Sequence, residues 1–347
     1  MYKTYRLEDL LKQAVDMKAS DVHIKRNVNP VMRVDGELLR MGSKVVTSEE
    51  IKTMVQVILK DRVNEFNKIG EVDVGYEINK VGRFRVNVFK EMGRDCIAIR
   101  IINNNIISLD DISFNDSIKE FTKEEKGLVL VSGATGSGKS TTIASLIEEI
   151  NKTESKHIIT LEDPVEYVYK EKKSIISQRE IGKDTRGFKE GVRSALREDP
   201  DVILIGEMRD ADTISMAINA AETGHLVFST IHTFGACETI DRIVNEFPKA
   251  LHEQIKLQLS LVLKGVIWQK LIKKCNGEGR CAAMEVMKVI PSIKNLIREG
   301  KTYQIQSVIQ TGSKYGMITM DRYISELYKM NAISREEMLK NCNDILL

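Results

Sequence analysis

The sequence predicts an α/β core preceded by a smaller α+β unit and followed by a helical region. Three observations carry this expectation. Residues 127–142, GLVLVSGATGSGKSTT, pass from a short apolar segment through a glycine-rich loop into a helical pattern. From Ser117 onward, strand-sized apolar runs alternate with amphipathic helix-sized ones, the grammar of a largely parallel sheet with helices on its faces. Before residue 103 the chain instead reads as short strands separated by turn residues, as in an antiparallel sheet.

Composition bounds the rest. A length of 347 residues is enough for about two domains. Hydrophobic content of 42% and charged content of 29% are ordinary for a soluble globular protein. A net charge of +2 and an aromatic content of 5% give no general pull toward nucleic acid or anionic lipid. No apolar run approaches the roughly 20 residues of a membrane span. The N-terminal segment MYKTYRLEDLLKQAVDMKAS contains acidic residues and is amphipathic, unlike a secretory signal. Five scattered cysteines, Cys96, Cys237, Cys275, Cys281 and Cys342, fit reduced thiols in the cytosol. Cys275 and Cys281 form the closest pair, which reads as a loop carrying ordinary cysteines rather than a zinc site.

The first unit, residues 1–103, opens on helical periodicity at Leu7, Leu10, Leu11, Ala14 and Val15. Strands are expected at 21–24, on either side of the Asp35-Gly36 turn, at 73–79, 82–89 and 95–102, with a helix beginning at Ser48. Residues 104–116 are polar and aperiodic, and are assigned to an interdomain linker or hinge. In the second unit, residues 117–347, strands are expected at 128–131, 157–161, 174–178, 202–205 and 226–230, with helices at 188–197 and 210–222. Beyond Glu246 the chain reads as helical, including 250–270.

The chemistry is expected where these strands end. Gly133-Ala134-Thr135-Gly136-Ser137-Gly138-Lys139-Ser140 fits GxxxxGK[ST] between a strand and a helix, the context this motif requires. Its glycines let backbone N–H groups converge on phosphate oxygens, and the helix N-terminus adds partial positive charge. Lys139 is expected on the β- and γ-phosphates, Ser140 on Mg²⁺, and Thr141 completes the nucleotide-binding set. Val202-Ile203-Leu204-Ile205-Gly206-Glu207 is an apolar strand delivering a carboxylate, which would orient water around Mg²⁺ or the attacking water itself. Glu162, Asp163 and Glu166 crowd another strand end, and Glu166 is favoured there as general base. His232 ends a further strand, where it could contact the terminal phosphate, while His225 lies at the opposite end. Arg83 and Arg85, two apart on one strand face, and then Arg94 and Arg100, are candidates for charge supplied from outside the core.

Four of these segments, GATGSGKST, LEDPVEY, DPDVILIGEMRD and TGHLVFSTIHT, resemble the Walker A, Asp, Walker B and His boxes of the secretion-superfamily ATPases. That family includes the motors of type II secretion and of type IV pili. The resemblance extends into the first unit at SDVHI and VDGEL. Within the superfamily the chain is most similar to the pilus-retraction branch. It is read as lacking the extra N-terminal domain of assembly ATPases and the tetracysteine element many of them carry. The segments SIKNLI at 292–297 and IQTGSKYGM at 309–317 resemble retraction-type motifs, with Ser292 and Lys294 departing from the usual Ala and Arg.

The resemblance implies a PAS-like first domain, a RecA-like second domain with C-terminal helices, and a homohexamer using ATP and Mg²⁺. It implies Glu166 as general base, Glu207 as the Walker B glutamate, and Arg85 and Arg100 as arginines reaching the nucleotide, with Arg83 a weaker match. The implied partner is the inner-membrane platform protein at the pilus base, met from the cytoplasmic side. Pilus assembly or type II secretion is the neighbouring alternative, and a RecA-like nucleic-acid motor the alternative from another class.

Overall fold

The computed structural model of the chain describes residues 4–34, 36–102, 106–277 and 279–342. It divides into two compact units, Met1–Asn105 and Ile106–Leu347.

The first unit contains helices α1 (Leu7–Asp16), α2 (Ser48–Leu59) and α3 (Val63–Ile69). Its strands are β1 (Asp21–Lys25), β2 (Val31–Val34), β3 (Glu37–Arg40), β4 (Glu71–Ile78), β5 (Gly82–Glu91) and β6 (Arg94–Ile102). They form an antiparallel sheet in the order β3-β2-β1-β6-β5-β4. Strand alternation sends Phe84, Val86 and Val88 of β5 and Ile97 and Ile99 of β6 into a core shared with Leu11, Ile24 and Met54. The other face of the same strands carries Arg85 and Arg100, which lie directly opposite one another in the β5–β6 register. Of the expected Asp35-Gly36 turn, Asp35 falls outside the described residues, and Gly36 takes φ +90° between β2 and β3.

The expected helix start at Ser48 is set by Thr47. Its hydroxyl accepts from the Glu50 backbone N–H while the Glu50 carboxylate accepts from Thr47 N–H, a reciprocal cap. Burial alone would push the Glu50 carboxyl up. Hydrogen bonds from the backbone of Thr47 and Tyr5, and from Lys44, outweigh this and bring it down to about 2. Because that lies below the ordinary glutamate value of 4.5, the stabilisation is present above pH 4.5 and lost as pH falls toward 2. Circular-dichroism urea titrations at stepped pH should show this acid loss in the native chain and a flatter profile in Glu50→Gln. Thr47→Ala should cost about 1 kcal/mol near neutral pH.

The second unit begins with α4 (Leu109–Ile112) and α5 (Ser117–Glu120). There follow β7 (Gly127–Ser132), α6 (Lys139–Thr153), β8 (His157–Glu162), β9 (Ile175–Glu180), α7 (Phe188–Ala195), β10 (Val202–Ile205), α8 (Ala211–Glu222) and β11 (Leu226–Ile231). After them come α9 (Ala236–Asn245), α10 (His252–Val262), β12 (Leu263–Lys273), β13 (Arg280–Lys288), α11 (Pro291–Arg298), α12 (Ile305–Thr311), α13 (Met320–Lys329) and α14 (Arg335–Asn341). The sheet order is β13-β12-β7-β11-β10-β8-β9, parallel from β12 to β9 with β13 antiparallel at its edge. Every residue of β7, β10 and β11 is buried, because helices cover both faces. The expected α/β class is therefore observed, with β7, β11, β10 and β8 side by side and their carboxyl ends at one edge.

Two boundaries differ from the sequence reading. Residues 250–270 are not one helix: α10 ends at Val262, and β12 joins the sheet beside β7, followed by β13. Val266, Ile267 and Trp268 suit a buried strand, and a short apolar run does not by itself distinguish strand from helix. Of the 104–116 linker, residues 104 and 105 fall outside the described residues, whereas 106–116 pack with the second unit. Leu109 is buried in that unit's core with Ile106 and Ile112 against it, and Ser108 caps α4. Among the described residues, no helix is long and apolar enough to cross a membrane.

Candidate active site

The loop between β7 and α6 is built for close approach. Gly133 takes φ +146°, and a Cβ there would lie 2.6 Å from Ser137 Oγ and 2.5 Å from the Gln269 carbonyl oxygen. Gly138 takes φ +87°, and a Cβ there would lie 2.7 Å from Gln269 Nε2. No larger residue fits either place without displacing its neighbours. Ala134, Thr135 and Gly136 stay exposed on the outside of the loop, while Ser137 turns inward.

Lys139, at the start of α6, is buried, and its Nζ donates to the carbonyl oxygens of Gly133 (2.8 Å) and Ala134 (2.9 Å). Burial lowers its pKa, and the charges of Glu207 and Glu166 pull it back up. The Ser137 hydroxyl is buried without a hydrogen-bond partner. A desolvated ammonium on carbonyls, an orphaned hydroxyl and a glycine-rich curve at a helix N-terminus fit an oxyanion group such as a phosphate. Ser140 and Thr141 follow in the first turn, and Thr141 Oγ1 lies 2.8 Å from the Tyr167 hydroxyl.

The strand ends supply the acids. Glu207, just past β10, is paired with Arg209 at 2.6 Å, and its other oxygen lies 3.8 Å from His232 Nε2 just past β11. His232 is held below the ordinary histidine value by burial and by the positive charges of Lys139 and Arg209, against the opposing pull of Glu207. Its ring is therefore neutral at neutral pH. His225, at the other end of β11, is held by Thr223 and the Ala220 carbonyl, away from this group. Glu166 is exposed, and its backbone N–H donates to Glu162 Oε2 at 3.4 Å. Glu162 itself is buried. Burial pushes its carboxyl up to about 7, against donors on Thr160, Glu166 and Gln178, with the Glu166 charge adding to the rise.

The structure thus gathers Lys139, Glu166, Glu207 and His232 around one loop. Arg85, Arg100 and Arg83 belong to the first unit. There Arg100 Nε lies 3.2 Å from Asp21, and Arg85 Nε lies 4.0 Å from Asp73. Sequence reasoning passed over three residues. Arg209 appeared only as flanking sequence, although it supplies an arginine within the core. Glu162 was one carboxylate among three, and its place as the last residue of a buried strand was the available signal. Gln269 lay inside the supposed helix, yet its side chain is buried and bonded to both the loop and α6.

Among the described residues, no group of three or more His, Cys, Asp or Glu gathers to hold a metal. A magnesium ion would have Ser140 and the phosphate oxygens as its ligands, with Glu207 acting through water, a donor set of the kind Mg²⁺ accepts.

The model of the type II/IV secretion system protein family matches residues 3–340 of this chain. The chain belongs to that family. It is 43% identical over 331 residues to the type IV pilus retraction ATPase PilT of Pseudomonas aeruginosa, covering 95% of this chain and 96% of the relative. A twitching motility protein of Neisseria gonorrhoeae is 44% identical over 308 residues, 88% of this chain and 82% of that one. The crystal structure of the pilus retraction motor PilT with bound ADP superposes with a TM-score of 0.91 at 41% identity, covering 98% of both chains. The family assignment accords with the four boxes read from the sequence, and the secretion-ATPase fold with the sheet order described above.

The buried Glu162 has a consequence for stability. Its folded-state value of about 7 lies above the ordinary 4.5, so its contribution is full below 4.5 and is lost as pH rises through about 7. Thermal unfolding followed by Trp268 fluorescence, which reports the second unit, should show this decline in the native chain. In Glu162→Gln the slope between pH 5 and 8 should flatten, since that side chain cannot ionise.

Proposed function

We propose that this chain is a mechanochemical ATPase that powers type IV pilus retraction. The observation that supports the reading most is the buried Lys139, held on its own loop's carbonyls, with Glu166 and Glu207 within electrostatic reach and a family relationship that spans nearly the whole chain.

In this reading the triphosphate displaces the Gly133 and Ala134 carbonyls as the partner of Lys139 Nζ, and the loop N–H groups take the β-phosphate. Magnesium, when bound, neutralises charge on the β- and γ-phosphates. Glu166 accepts a proton from a water as its oxygen attacks the γ-phosphorus, and the β–γ bridging oxygen leaves with ADP. Glu207 orients that water, with Arg209 holding one of its oxygens. His232 forms a hydrogen bond beside the terminal phosphate. Arg85 and Arg100 supply positive charge from the first unit when the nucleotide is gripped. A weaker share is assigned to Arg83.

Six copies forming a ring would convert successive closures into motion of an inner-membrane platform protein at the pilus base. The ring would sit on the cytoplasmic face of that membrane without spanning it. No nucleic acid is required. A sequence neighbour, pilus assembly, shares the same chemistry and is separated by its cellular consequence.

Lys139→Ala should reduce steady-state ATP turnover by a hundredfold or more, on the scale of losing a preorganised cation at developing charge. Glu166→Gln should retain ATP binding while single-turnover hydrolysis falls by about 10²- to 10⁴-fold, the usual range for a general base. Native rates in either variant would remove that residue from its assigned role. Deleting the gene should give hyperpiliated cells that do not twitch; bare cells would instead indicate assembly.

A further inference from the structure

One residue from a strand late in the chain braces both ends of the phosphate-binding loop. Gln269 of β12 is buried, its Nε2 donates to the Ser137 carbonyl at 2.7 Å, and its Oε1 accepts from Thr142 Oγ1 at 2.6 Å. The polarity admits one arrangement. The Ser137 carbonyl can only accept, so the amide NH₂ faces it, leaving Oε1 for the Thr142 hydroxyl. The backbone carbonyl of the same residue abuts the Cα of Gly133, and its amide abuts that of Gly138, as the 2.5 and 2.7 Å approaches to added Cβ atoms demonstrate. The first and last glycines of the loop therefore both rest on Gln269. Its neighbour Trp268 is in register with Ser132, which fixes this contact along the β7–β12 pair.

A loop with three backbone positions at positive φ and exposed Ala134, Thr135 and Gly136 has little packing of its own. Its curve could collapse or widen when empty. Two buried hydrogen bonds from a strand paired on both sides oppose that, so less ordering remains when a phosphate arrives. We propose that Gln269 is a positioning residue for nucleotide binding, acting through Ser137 and Thr142 to preorganise the loop. The proposal rests on the loop being the nucleotide site.

The strand is well placed for this task. β12 lies between β7, which enters the loop, and β13, with which it pairs over nine consecutive residues, Gly265–Lys273 against Lys288–Arg280. Thr142 is fully buried on α6, so the same amide also ties the first helical turn after Lys139 to the sheet.

The test uses the full-length chain and four variants, with a fluorescent ADP analogue as the probe and ATP turnover alongside. Gln269→Leu keeps bulk and removes both bonds. It should weaken analogue binding and raise KM for ATP by about tenfold while kcat changes less than about threefold, the signature of lost binding common to ground and transition states. Thr142→Val should reproduce part of the effect, and Thr142→Ser, which keeps the hydroxyl, should restore native binding. Lys139→Ala is the control for the site itself. Unchanged binding there would refute the nucleotide-site reading, whereas loss there with native binding in Gln269→Leu and Thr142→Val would overturn the role of Gln269 alone. If Gln269→Leu does not fold, as judged by Trp268 fluorescence, the Thr142 pair decides: equal binding in the Val and Ser variants overturns the proposal.

Discussion

The site in the second unit depends on keeping a lysine ammonium buried on its own loop, with no carboxylate directly bonded to it. Lys139 Nζ rests on two backbone carbonyls, and burial depresses its pKa, so its charge is held at a cost. A backbone curve provides the carbonyls only because Gly133 and Gly138 lack side chains where neighbours stand within 2.7 Å. The parallel strand β7 delivers the curve, α6 begins at the lysine, and the fully buried centre of the sheet keeps both from shifting. An anion that approached this lysine would gain a strong, desolvated partner.

Strand order does the remaining assembly. Because β8, β10 and β11 run parallel to β7 and lie on one side of it, residues far apart in sequence emerge at the same edge. Glu162 closes β8, Glu207 follows β10 and His232 follows β11. The loop after His232 is itself anchored. The buried Glu285 of β13 accepts from Ala236 N–H at 3.0 Å, at the start of α9, and from Gln306 Nε2 of α12 at 3.2 Å. Burial raises the Glu285 pKa, with those donors opposing the rise. One side chain thus joins the end of the His232 segment, the edge strand and a C-terminal helix.

The legible part of this protein was local and repetitive. Strand β7 and the GxxxxGK[ST] loop declare themselves because fully buried strands read as unbroken apolar runs and the loop needs specific residue types. Glu207 and His232 were legible for the same reason: each ends such a run. The β12–β13 hairpin was not, since Leu259 to Ile267 offers apolar residues compatible with either period, and only pairing with β7 settles it. Missing the strand concealed Gln269, a polar residue among Val266, Ile267 and Trp268 that has meaning only once its neighbours across space are known. The polar composition of 104–116 suggested a linker, but Leu109 and a serine cap are enough to fasten most of it to the second unit. Composition registers solvent-facing residues and misses a single buried anchor.

Charge accounting shows what a triphosphate would meet in the second unit. Around the loop stand two cations, Lys139 and Arg209, and two carboxylates, Glu166 and Glu207, while His232 is neutral near pH 7. Arg209 is also engaged with Glu207, so much of its charge is spoken for. The group is close to neutral before any phosphate arrives, and a triphosphate adds several negative charges that concentrate further on the transferring oxygens. A metal ion offsets part of that. The proposed mechanism draws the rest from the facing pair Arg85 and Arg100 of the first unit, each balanced by an aspartate at salt-bridge distance.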